Sequence, residues 1–109
     1  NMDVLVEVHN KKELERIHNL DCFDLIGINN RNLKTFKTNL DVTVNMMQNH
    51  FRKKFQESKN EIFISESGIK CNEDLKLLES IGIRGVLIGE ILMKEENIEQ
   101  SFRKLLNAV

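Results

Sequence analysis

A chain of 109 residues is the size of one small domain, or of a piece of a larger one. Leu, Ile, Val and Phe number 13, 11, 7 and 6, about a third of the chain, which excludes a disordered segment and predicts a packed core. Sixteen basic against 17 acidic residues leave a net charge of −1, and no apolar run approaches the ~18 residues of a membrane span, so neither nucleic acid nor a membrane is an expected partner.

In chain order, Val4 to Val8 is a short β-branched run bounded by His9-Asn10 and reads as a strand. Lys11 to Leu20 then places Leu14, Ile17 and Leu20 on one helical face, with Asn10 as N-cap and Glu13 as its capping-box partner. A second strand is predicted over Asp24–Asn29, followed by the polar loop Asn30-Arg31-Asn32. From about Leu40 to Ser58, the apolar positions Val44, Met47, Phe51 and Phe55 recur every three or four residues, which predicts a helix. Glu61–Ser65 is the third strand. Asn72 is the expected cap of a third helix through Leu75, Leu78 and Ile81, with Gly82 as its stop. Gly85–Gly89 is the fourth strand, and Ile98, Phe102, Leu105 and Leu106 mark a last helix.

The order β-α-β-α-β-α-β-α, with strands apolar on both faces, predicts a parallel α/β sheet covered by helices. Four such units are half of an eight-unit (β/α)8 barrel of the TIM-barrel type, whose usual length is about 250 residues. The alternative is a small open doubly wound sheet. No strand leads into a G-x-G-x-x-G turn and no G-x-x-x-x-G-K-[ST] loop occurs, so a (βα)4 half-barrel with parallel strands, one domain over 1–109, is the expectation. Asn1 in place of an initiator Met, with a strand starting almost at once, leads us to expect further chain upstream.

Chemistry in such sheets gathers at the carboxyl ends of the strands. Glu7 interrupts the first aliphatic run and His9 ends it; Asn29, Asn30 and Arg31 end the second strand. Ser65-Glu66-Ser67-Gly68 ends the third, and Gly89-Glu90 the fourth. Glu7, Asn29, Ser67 and Gly89 stand 22, 38 and 22 residues apart, the spacing of whole βα units. A carboxylate in a β-branched strand is costly to bury without a polar cavity or a partner. Two readings of Glu7 follow: an end-of-strand ion pair with Arg31, or a general acid or base in a barrel mouth. Ser67-Gly68 and Gly89-Glu90 let backbone N–H groups approach an anion, although glycine loops by themselves also make plain tight turns.

The remaining polar features read as structural. His9 is as good a strand-end hydrogen bonder as a catalyst, and His18 and His50 read as surface residues on helices. Arg52-Lys53-Lys54 is a solvated face, and Met46-Met47 is core filler. Cys22 and Cys71 lie far apart without ligand spacing, so no metal site or disulfide is expected, and reduced thiols fit an intracellular compartment.

As a set, V-E-V-H-N at 6–10, L-I-G-I-N-N-R-N-L at 25–33, S-E-S-G-I at 65–69 and V-L-I-G-E-I-L-M at 86–93 resemble indole-3-glycerol-phosphate synthase. They occur in that family's order and near its spacing, and cover the whole chain as strands five to eight with their helices. S-E-S-G-I and the I-G-E turn echo in other phosphate-binding barrels; I-G-I-N-N-R-N-L beside V-E-V-H is far more specific and disfavours another phosphosugar enzyme.

The resemblance implies ring closure in tryptophan biosynthesis, converting 1-(2-carboxyphenylamino)-1-deoxyribulose 5-phosphate to indole-3-glycerol phosphate, carbon dioxide and water. It implies proton transfer for Glu7, and substrate contact for Asn29. Arg31 would organise the site's charges, with Glu66 near the same cluster, while Ser67, Gly68, Gly89 and Glu90 form a phosphate cradle largely through backbone amides. No cofactor is implied. The family's general-acid lysine, on its third strand, and a lysine and a glutamate near its first strand have no counterpart here. The isolated chain is therefore expected to have little or no activity. Its expected partners are the phosphorylated substrate and either the missing N-terminal half-barrel or a second copy, because four parallel strands leave two open edges and an uncovered interior. A non-catalytic, phosphate-binding or dimerising half-barrel is the competing reading. The expected location is intracellular and soluble: the cytoplasm, or a plastid if the helix running long through Phe51 to Lys59 reflects its similarity to plant members.

Overall fold

The computed structural model describes residues 2–20, 24–54, 61–94 and 96–106, with the backbone alone for 49–54. Nine elements follow one another: β1 (Leu5–Val8), α1 (Lys11–Leu20), β2 (Leu25–Asn29), α2 (Asp41–Lys54), β3 (Ile62–Glu66), α3 (Asn72–Ser80), β4 (Gly85–Leu87), α4 (Glu90–Met93) and α5 (Ile98–Leu106). The strands pair in parallel and in chain order, β1-β2-β3-β4. Strand order decides between the two architectures. A doubly wound sheet reverses direction at a switch point, whereas a barrel lays each strand beside its predecessor. This is an α/β half-barrel.

Register sorts the side chains onto two faces, because successive residues of a strand point to opposite sides. Val8, Ile26, Ile28, Phe63 and Ser65 lie on one face and are buried, in a core shared with Leu14 of α1, Met46 and Met47 of α2, Leu78 of α3 and Leu105 of α5. The opposite face carries Leu5, Glu7, Gly27, Asn29, Ile62, Ile64, Glu66 and Leu87. Leu5, Ile62 and Leu87 there are 40%, 42% and 56% exposed, so the face that would line a barrel interior is open.

Local signals explain the helix ends. Asn10 Oδ1 accepts the Glu13 N–H at 2.9 Å, the expected cap of α1. Gly82, with φ 95°, ends α3 while the Ile83 N–H returns to the Leu78 carbonyl at 3.0 Å. The N-cap of α3 is Cys71 rather than Asn72: Asp74 Oδ2 accepts the N–H groups of Lys70 and Cys71 at 2.8 and 3.3 Å. Asn72 is thereby drawn into the helix, and its amide donates to the Leu105 carbonyl at 3.0 Å, tying α3 to α5.

Three further differences have physical causes. His18 is not a surface residue; it is 5% exposed and its Nδ1 meets Glu61 Oε1 at 2.9 Å, a polar tie that three-to-four spacing of apolar residues cannot announce. Strand β4 ends at Leu87, two residues early, and a short helix α4, unannounced in the periodicity, begins at Glu90. β3 begins at Ile62 and reaches Glu66, which places the glutamate inside the strand instead of in the following loop. Cys22 and residues 55–59, over which the second helix was expected to run long, lie outside the described residues, as do the side chains of His50, Phe51 and Arg52-Lys53-Lys54. Among the described residues, no helix is long and apolar enough to cross a membrane.

Candidate active site

Three of the residues singled out from sequence share one end of the open face. Glu7 sits opposite Gly27, Asn29 opposite Glu66, and Glu66 opposite Leu87. Glu7 is not paired with Arg31. Its Oε2 lies 3.1 Å from His9 Nε2, an ion-pair distance without hydrogen-bond alignment. The Asn29 side chain turns back to accept the Arg31 N–H at 2.8 Å, shaping the start of the loop.

Glu66 is 5% exposed, and among the described residues its Oε2 has no hydrogen-bond partner. Burial pushes its carboxyl up to about 7, helped by hydrogen bonding to and repulsion from Glu7, and opposed by His9. Glu7 and Glu66 are thus a carboxyl pair in which the buried member holds its proton near neutral pH. Such a pair can both accept and donate protons.

The loop after β2 fixes Arg31. Asn32 Oδ1 accepts the Lys34 and Thr35 N–H groups at 2.8 and 3.2 Å, and the Phe36 N–H returns to the Asn32 carbonyl at 2.7 Å. That turn presents the Phe36 carbonyl to Arg31 Nη1 at 2.7 Å, while Nη2 is bound by the Glu90 carboxylate. Arg31 so joins the β2 loop to α4. Lys94 and Arg31, in that order, hold the Glu90 carboxyl below the usual range.

Beside this pair runs an open groove of about 820 Å³ lined by Arg31, Ser67, Gly68, Gly89 and Glu90, with Lys37, Lys70 and Lys94 also on its lining. Ser67 and Gly68 both have left-handed backbones, φ 68° and 79°. A Cβ on Gly68 would stand 3.1 Å from the Thr38 Cβ, so both conformation and space call for glycine there. Among the described residues, nothing lies within 4 Å of where a Gly89 Cβ would be. Four cations against one carboxylate suit an anionic group. Asn29 lines a neighbouring groove with His9 and Arg31; Glu7 and Glu66 line neither groove and stand on the open sheet face.

What holds the Glu66–Gly68 turn is Asn30, named in sequence only as part of its loop. It is 2% exposed. Its Nδ2 donates to Ser65 Oγ, the Glu66 carbonyl and the Ser67 carbonyl at 2.9, 3.1 and 2.9 Å. Its Oδ1 accepts the Thr43 N–H and Oγ1 at 3.2 and 2.7 Å, and Thr43 Oγ1 meets Ser65 Oγ at 2.9 Å. Every polar atom of that amide is used, which is what makes so buried a network affordable.

Residues 1–105 match the family described as Indole-3-glycerol phosphate synthase. The chain belongs to that family. It is 60% identical over 108 residues to an indole-3-glycerol phosphate synthase of Prochlorococcus marinus strain AS9601, covering 99% of this chain and 36% of that protein. Strain MIT 9301 has a relative of the same name at 58% with the same coverage, and Alkaliphilus metalliredigens one at 48% over 101 residues, 93% of this chain and 36% of that protein. The chain therefore spans about a third of the length of the synthases it matches.

Within the synthase family frame, the half-barrel brings Arg31, Ser67, Gly68, Gly89 and Glu90 to one groove, and Glu7, Asn29 and Glu66 to one end of the open face. Sequence reasoning named Asn30 only as part of its strand end and loop and missed Thr43, because their shared network has no periodic signature. The lysine rim was also missed, because Lys37, Lys70 and Lys94 converge only after folding.

Proposed function

We propose that this chain carries the proton-transfer carboxyls and the phosphate cradle of an indole-3-glycerol-phosphate synthase, and that turnover requires the other half of the barrel. The observation that carries the reading is the clustering of Glu7, Asn29 and Glu66 at the same strand ends as a cationic groove floored by Ser67 and Gly68. Ring closure of 1-(2-carboxyphenylamino)-1-deoxyribulose 5-phosphate needs an acid to polarise the ketone while the aromatic carbon attacks, departure of the carboxylate on that carbon as carbon dioxide, then a base that removes a proton while the hydroxyl takes one and leaves as water. Glu7, half-exposed on the open face, is the base; Glu66 beside it keeps a proton in reserve. Asn29 contacts the substrate and Arg31 balances the charges around it. The phosphate in the groove supplies binding energy remote from the reacting carbons and holds them in place.

The acid that polarises the ketone is a lysine of the other half of the barrel, so these 109 residues by themselves are inactive as a synthase. A general acid is worth about 10²–10⁴-fold. The open face with Leu5, Ile62 and Leu87 is the surface that the N-terminal half-barrel covers, with a second copy of this chain as the competing occupant. Expression in a bacterium lacking its own synthase tests the reading. Growth without tryptophan should be restored when a segment supplying strands one to four is co-expressed, and not by the chain alone. Failure of the pair, with both pieces soluble and associated, would leave the non-catalytic phosphate-binding half-barrel as the better account.

A further inference from the structure

Gly27 is anomalous on this sheet. It occupies the middle of β2 between Ile26 and Ile28, both fully buried, where a glycine weakens a strand and packs nothing. Its backbone does not require glycine, since the left-handed glycines of the described residues are Gly68 and Gly82. Space is the remaining reason. A Cβ built on Gly27 would stand 2.0 Å from Glu66 Oε2 and 2.9 Å from Glu66 Cδ, with Leu5 Cδ1 at 3.2 Å. The Glu66 carboxyl lies folded over the bare Cα of the neighbouring strand, and Glu7 is the residue across from Gly27 on the other side.

We propose that Gly27 is a positioning residue whose absent side chain opens the seat in which the Glu66 carboxyl lies buried beside Glu7. The inference rests on the proposed reaction for its purpose, but not for its geometry. Any side chain at position 27 would collide with the far end of a flexible glutamate rather than with backbone. The strand would survive and the carboxyl would swing away, parting the two acids. Gly27→Ala is thus expected to disarm Glu66 without changing either carboxyl chemically.

The titratable groups facing Glu66 are Glu7 and His9, so its titration reports the seat directly. In the carbon-13-labelled chain, the Glu66 carboxyl should titrate near 7, and in Gly27→Ala its midpoint should fall toward the ordinary 4.5, with amide resonances of α2, α3 and α5 unmoved. A midpoint near 4.5 in the native chain, or one that Gly27→Ala leaves in place, overturns the proposal. A double-mutant cycle by urea unfolding covers the case in which the variant is unstable. Gly27→Ala should be better tolerated in a Glu66→Ala background, where the seat is empty; equal loss in both backgrounds would mean that glycine serves the backbone, and would overturn the seat.

In the reconstituted enzyme, Gly27→Ala should lower kcat about tenfold or more with KM little changed, the pattern of a displaced proton-transfer group. Unchanged kcat would overturn its role in the reaction. The titration and the cycle need no substrate, so a failure to form indole product in any variant counts against the proposed reaction, while Glu66 alone judges the seat.

Discussion

Glu66 carries a charge cost that depends on pH. Its carboxyl in the folded chain is pushed up to about 7 against an ordinary 4.5, so folding favours the protonated form. That contribution is fully present below about pH 4.5 and is lost as pH rises through 7. The loss is at most about 3.5 kcal/mol, at roughly 1.4 kcal/mol for each unit between the two values. The native chain should unfold at lower urea at pH 8 than at pH 5, and Glu66→Gln should flatten that difference and raise stability at pH 8. Equal pH dependence in the two proteins would show that Glu66 is not the group responsible. Gly27 was within reach of the sequence, as a glycine inside an aliphatic strand. What it makes room for was not, because Glu66 comes from 39 residues further along the chain. Glu7 was conspicuous for the same kind of reason, a charge among β-branched residues, but its approach to His9 instead of Arg31 had to be seen in three dimensions.

Among the elements, the loop after β2 and the turn after β3 depend on a single amide. Removing the Asn30 side chain takes the amide away from the Thr43 and Ser65 hydroxyls, which keep only each other, and from the Glu66 and Ser67 carbonyls, of which Glu66 retains the Asn30 N–H. Asn30→Ala should cost about 2–4 kcal/mol by urea unfolding, more than a partly exposed hydrogen bond would. A cost below about 1 kcal/mol would mean that the network relaxes without it. Gly68→Ala should cost about 1–2 kcal/mol and weaken binding of inorganic phosphate, because the left-handed turn and the contact with Thr38 both resist a Cβ. Phosphate affinity equal to that of the native chain would remove Gly68 from the cradle. The alternation of strands and helices was legible because β2, β3 and the major helices repeat apolar residues with clear periods. Termini were less so: Cys71 capping α3 through Asp74, and the one-turn α4, rest on local hydrogen bonds that periodicity does not encode.

For the whole molecule, the decisive asymmetry is between the two faces of the sheet. One is sealed by helices, and the other leaves Leu5, Ile62 and Leu87 open alongside the carboxyl pair. Leu87→Glu should leave the chain's own unfolding nearly unchanged and weaken its association with a segment supplying strands one to four, as read by sedimentation. Undiminished association would place the docking surface elsewhere. The parallel half-barrel could be anticipated from the unit repeat, yet only the β1-β2-β3-β4 order excludes the doubly wound alternative. Reconstituted turnover tests the central claim most directly. The chain has neither Trp nor Tyr, so indole fluorescence from added 1-(2-carboxyphenylamino)-1-deoxyribulose 5-phosphate stands clear of its own emission. The account predicts a flat trace from the folded chain alone, a rising one once a segment supplying strands one to four is added, and loss of that rise on Glu7→Gln. A rising trace from the chain alone, or one indifferent to Glu7, would contradict it.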